Sequence, residues 1–68
     1  MKIEYDSKHD LMNIEFLKDV EIAESVEVDG IIFDYAKDKR IVSVEILDAG
    51  KRITKDPLET IDFAVVRT

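Results

Sequence analysis

Sixty-eight residues with 46% apolar and 38% charged side chains suit one domain, residues 1–68, and exclude a disordered acidic tail. No apolar run exceeds four residues, which excludes a membrane-spanning helix, and the absence of cysteine excludes disulfides and thiolate zinc sites. The net charge of −6, with −7 in residues 1–34 and +1 in residues 35–68, sets the surface against nucleic acid and anionic lipid.

The opening Met1-Lys2-Ile3-Glu4 lacks the apolar stretch of a secretory leader, so none is expected. Ile3 and Tyr5 alternate with Lys2 and Glu4, which predicts a first strand. Asp6-Ser7-Lys8-His9-Asp10 is turn-like in composition. Met12, Ile14 and Phe16 alternate with Asn13 and Glu15 and predict a second strand. Val20 and Ile22 keep the even register into Val26 and Val28, a third.

The strongest local signal is Val28-Asp29-Gly30-Ile31. Asp-Gly between alternating apolar residues is the favoured two-residue hairpin loop, because both positions need positive φ. That loop pairs Val28 with Ile31, Val26 with Phe33 and Glu24 with Tyr35. Arg40 to Leu47 is the next strand. Taking Asp38-Lys39 as a second two-residue loop pairs Tyr35 with Val42, Phe33 with Val44 and Ile31 with Ile46. A one-residue slip would put Ser43 and Glu45 among the apolar side chains, so the pattern selects this register.

Beyond Leu47 the signals weaken. Asp48 to Arg52 suits either a helical turn or an extended exit, and Gly50 argues against a long helix. Asp56-Pro57-Leu58-Glu59-Thr60 reads as a cap and a short helical turn. Ile61 to Arg67 alternates like a sixth strand, with a helical tail as the alternative.

The fold class expected is therefore mainly β: a five- to six-stranded antiparallel meander with a short helical turn near the C-terminus. Its apolar face carries Ile3, Tyr5, Met12, Ile14, Phe16, Val20, Ile22, Val26, Val28, Ile31, Phe33, Tyr35, Val42, Val44 and Ile46. Phe33 should sit at the centre of the core. Such a face must be covered by curling of the sheet, by the C-terminal twenty residues, or by a second copy. Leu11, Leu17, Ile32, Ile41 and Leu47 on the reverse face favour self-association, as a homodimer or larger assembly.

Over residues 1–52, Gly30-Ile31-Ile32-Phe33-Asp34-Tyr35 and the run from Arg40 to Arg52 resemble the domain-of-unknown-function family 2283. Tyr5-Asp6 matches the family's Tyr-Asp pair, and Asp10 matches the aspartate before its second strand. The stretch Ile46-Leu47-Asp48-Ala49 is the most specific part. Asn13, Lys39 and Gly50 stand where members usually have Tyr, Gly and Ser. Lys39 weakens a two-residue turn and opens the option of a bulged loop. The resemblance implies a compact, mostly β cytoplasmic domain with no assigned reaction. It also points to an antitoxin-like role, of the kind encoded beside small toxin-like proteins.

Candidate chemistry is sparse. His9, the only histidine, lies between Asp6 and Asp10, a spacing that suits a solvated turn better than a divalent-ion site. Asp34, Glu45, Asp48 and Arg52 form a candidate surface site, where paired carboxylates act as acid and base or bind a cation. The plainer reading is charge that keeps a sheet face soluble, with Asp48 capping the turn before Lys51-Arg52. The clusters Lys37, Lys39, Arg40 and Lys51, Arg52, Lys55 lack aromatic platforms, so pairing with the acidic half is expected rather than nucleic-acid binding. No phosphate loop, nucleophile elbow or zinc-helix motif occurs, and Ser7, Ser25 and Ser43 have no neighbouring base. No cofactor, nucleic-acid partner or membrane partner is expected. Two functional classes remain: a homo-oligomeric interaction module, with a small basic protein as a possible further partner, and a small enzyme or ligand-binding domain with an acidic site at a subunit interface.

Overall fold

The computed structural model describes residues 1–53 and 61–67. Five strands form one antiparallel sheet: β1 (Lys2–Asp6), β2 (Leu11–Glu15), β3 (Glu24–Val28), β4 (Ile31–Tyr35) and β5 (Ile41–Leu47). A single-turn helix, α1 (Ala49–Arg52), follows β5. The expected helical turn at 56–60 lies outside the described residues. Residues 61–67 form no strand within the chain, so the sixth strand is absent from the described sheet.

The alternation of side chains holds through β1 to β4 and from Ser43 to Leu47 in β5; at Val42 the register breaks, and Val42 lines the groove of the charged face beside Ser43 rather than joining the apolar face. Ile3, Ile14, Val44, Phe33 and Val26 stand opposite one another in one row. Tyr5, Met12, Ile46, Ile31 and Val28 make the next. Because the side-chain period is two, the intervening residues line the other face. There the rows are Lys2, Glu15, Ser43, Asp34, Ser25 and Glu4, Asn13, Glu45, Ile32, Glu27.

The strand order is not that of a meander. It runs β1-β2-β5-β4-β3, so β5 lies between the two hairpins and pairs with both. Alternation fixes which face a residue takes, and short turns fix hairpins, but neither fixes which hairpin a later strand joins. The connection from β2 to β3 carries the change. Leu17–Asp19 turns away from the sheet, with Asp19 at φ 57°, and the chain rejoins it at β3. Phe16 and Leu17 donate their N–H groups to the Val42 carbonyl, and Ala23 donates to that of Tyr35. Val20 and Ile22 therefore leave the apolar face and line the charged one.

Both tight loops follow from backbone chemistry. Asp29 (φ 51°) and Gly30 (φ 77°) make the two-residue loop, with Val28 opposite Ile31 as expected. A Cβ at Gly30 would collide with the Arg52 guanidinium. Gly30→Val is expected to cost more than about 1 kcal/mol, because a β-branched residue fits positive φ poorly. An unchanged urea midpoint would refute this loop.

The β4–β5 loop departs from the two-residue form. Ala36 donates to the Arg40 carbonyl, Lys39 donates to the Ala36 carbonyl, and Lys39 takes φ 75°. This is a three-residue loop with a left-handed last position. Tyr35 stands opposite Ile41 rather than Val42, and the register breaks beside it. A lysine there holds a conformation that glycine takes freely, and its exposed contact with Glu24 at 3.6 Å adds little. Lys39→Gly should therefore raise stability by about 1 kcal/mol. A lower denaturation midpoint would contradict that.

The buried residues are few. Met12, Ala36, Val42 and Ala49 are the buried apolar ones, joined by Asp34 and Ser43. Among the described residues, no large side chain is fully buried. Phe33 is only half-buried, so the core is not centred on it within one chain. The reason is placement: the β2–β3 connection shelters the charged face, while the apolar face keeps Val26 and Val28 exposed, the latter at 58%.

Candidate functional site

The charged face is held by Asp34. Its neighbours across the register are Ser25 on β3 and Ser43 on β5. Ser25 Oγ donates to Oδ1 at 2.6 Å, and Ser43 Oγ donates to Oδ2 at 2.7 Å. One carboxylate thus ties three strands together, and it is 2% exposed. Burial pushes the Asp34 carboxyl up, but hydrogen bonds from Ser25, Ser43 and Glu45 outweigh it and hold the group below the usual carboxylate range.

Glu45 sits diagonally across from it on β5. Its hydrogen bond to Asp34, then burial, then the Asp34 charge all push its carboxyl up. The two neighbouring carboxyls are thus pushed in opposite directions, Asp34 down and Glu45 up. Beside them runs a groove of about 430 Å³, with Leu11, Leu17, Val20 and Ile22 among its walls.

The two shifts have opposite linkage signs. Asp34 contributes stability above its ordinary value of 3.8, and loses it as pH falls through the lowered folded value. Glu45 contributes below its ordinary value of 4.5, and loses it as pH rises through the raised folded value. Asp6, Asp10 and Asp38 are lowered too and add to the acid-side loss. The decline above 4.5 belongs to Glu45 among these groups. Glu45→Gln should abolish that decline while leaving the acid limb, read by urea denaturation at stepped pH. Parallel curves for parent and variant would show that the pair is not linked to folding.

Of the four candidate residues, the structure brings together two. Asp48 and Arg52 lie at α1 instead. Asp48 is the residue before the helix, at φ 52°, and its side chain makes no capping hydrogen bond. Its carbonyl accepts from Lys51 and Arg52. Arg52 Nε donates to the Leu47 carbonyl at 3.1 Å, and the guanidinium lies 3.5 Å from Asp29. Arg52 therefore fastens α1 to the β3–β4 loop.

A second fastening was not legible in local pattern. Asp10 Oδ1 accepts from Tyr5 Oη at 2.7 Å and from the Gly50 N–H at 2.8 Å. The Asp10 carbonyl accepts from Ala49, which is fully buried. These contacts bind α1 to the β1–β2 turn, with Asp10 and Gly50 separated by forty residues. His9 Nδ1 lies 2.7 Å from Asp6 Oδ2 in an exposed turn. Of the basic residues, Lys39 meets Glu24 and Arg52 meets Asp29, both in the acidic half, whereas Arg40 pairs with Asp38 in its own half. Lys55 lies outside the described residues.

Chemically, the Asp34 cluster is a clamp. A serine becomes a nucleophile when a nearby base takes its proton, and a carboxylate held below its usual range is a poor base. Among the described residues, no group of three or more His, Asp or Glu is placed to hold a metal ion, and no helix is long and apolar enough to cross a membrane.

The sequence profile described as "Protein of unknown function (DUF2283)" matches residues 2–49. The chain belongs to this family. No curated protein and no solved structure matches it. The DUF2283 match spans all five strands and ends at Ala49. It thus contains Tyr5, Asp10, Asp34 and Ser43, the residues that clamp the sheet and receive α1. The most specific stretch of the resemblance, Ile46 to Ala49, is the part that turns β5 into the buried start of the helix.

Proposed function

We propose that this DUF2283 chain is a self-associating protein-interaction module, and that its apolar sheet face closes against the same face of a second copy. The observation that carries the reading is the inverted cover: the chain's own connection shelters Asp34 and Ser43, while of the ten residues in the two apolar rows Met12 alone is buried and Ile3, Val26 and Val28 are exposed. A two-fold pairing lets one patch serve both subunits. It leaves the charged face outward, and Glu4, Glu15, Glu27 and Glu45 there suit a small basic protein as a further partner.

Val28 tests the reading well, because its exposure makes it tolerant of change within one chain. Val28→Glu should weaken self-association by at least about tenfold, or 1.4 kcal/mol, in size-exclusion dilution series. Lys8→Glu, in the exposed β1–β2 turn, should leave it unchanged. Equal behaviour of the two variants would remove the apolar face from the interface.

A further inference from the structure

We infer that residues 61–67 add as an antiparallel strand to the outer edge of β3 in a second copy, an inference that rests on the self-association just proposed. The segment's apolar side chains find no cover on their own sheet: Ile61, Phe63, Val65 and Val66 are all exposed, Phe63 at 75%. It holds no glycine or proline, and isoleucine, phenylalanine and two valines are good strand formers. β3 is the receptive edge. It pairs with β4 alone, and all five of its residues are exposed. It holds no proline or bulge and carries two charges, Glu24 and Glu27, against the three of β1, Lys2, Glu4 and Asp6.

Alternation and charge select the register. Phe63 and Val65 must join Val26 and Val28 on the apolar face, which pairs odd positions of the segment with even positions of β3. Setting Arg67 opposite Glu24 then places Val65 against Val26, Phe63 against Val28 and Ala64 against Glu27. The opposite charges meet, and the apolar face gains a sixth column. Backbone hydrogen bonds supply affinity, and the alternate side chains supply specificity, as in other strand-addition complexes.

The chain has no cysteine, which makes cross-linking a clean test. Glu27→Cys and Ala64→Cys chains, distinguishable by mass, are mixed and oxidised. Directly opposed residues lie within disulfide reach. The mixed dimer should exceed that from Lys8→Cys with Ala64→Cys by at least about tenfold. A chain carrying both Glu27→Cys and Ala64→Cys should link between copies. Closure only within that chain would overturn the inference, because the segment would then fold on its own sheet. A dimeric mass without the 27–64 link would overturn it too, and self-association would stand. A monomeric mass at every concentration would defeat the self-association reading and this inference with it.

Discussion

Replacing Phe33 by alanine is expected to cost about 3–5 kcal/mol, the usual loss for an enclosed phenylalanine. Phe33 stands fourth in a five-residue apolar row, between Val44 on the central strand β5 and Val26 on the edge strand β3. Within one chain it is only half-buried, and truncation there would remove about half that sum. The full loss therefore requires a second surface over the ring. A loss of this size is comparable with the whole stability of a small domain, so the variant should show no cooperative transition at low micromolar concentration. A loss under about 1 kcal/mol, with the transition intact, would place Phe33 outside any closed core.

Removing the Asp34 carboxylate should cost on the order of 2–3 kcal/mol, because hydrogen bonds to a charged group are the stronger kind and both serine hydroxyls lose their acceptor in a buried site. Ser25 and Ser43 lie on the strands either side of β4, so Asp34→Ala loosens β3 and β5 together. Asp34→Asn keeps the shape and one acceptor and should lose less. Denaturation of both variants, with hydrogen exchange at β3, reads the effect. An alanine variant as stable as its parent would show that the clamp carries no net energy.

The parts of the fold legible in sequence are those set by local chemistry. Asp29-Gly30 announces its loop because few other dipeptides take two positive φ values, and from it the β3–β4 register follows without error. The facing of every strand residue from Ile3 to Val28 within β1, β2 and β3 followed from alternation. The strand order did not. Nothing in Val20 or Ile22 tells a strand from a connection that crosses beside the charged face, since both are apolar and spaced by two. The turn at Leu17–Asp19 carried one signal, an aspartate able to take the left-handed region. Among the described residues, four of the five non-glycine residues with positive φ are aspartates, at 10, 19, 29 and 48.

At the candidate site, the pairing of Asp34 with Ser25 and Ser43 was implicit in the register, and Glu45 lay on the same face. What could not be read was burial, because that depends on where the β2–β3 connection passes. Asp48 and Arg52 follow β5 closely in the sequence, and nothing in the pattern separates them from the pair. In the fold they belong to the contacts that hold α1. The contact of Asp10 with Gly50 joins residues forty apart, too far for any local pattern to connect.

Sedimentation equilibrium, with melting temperature followed over the same dilution series, tests the central claim most directly. A module closed by its own second copy should show at least twice 7.8 kDa at high micromolar concentration, with a melting temperature that falls on dilution. A mass of 7.8 kDa throughout, with a melting temperature independent of concentration, would contradict it.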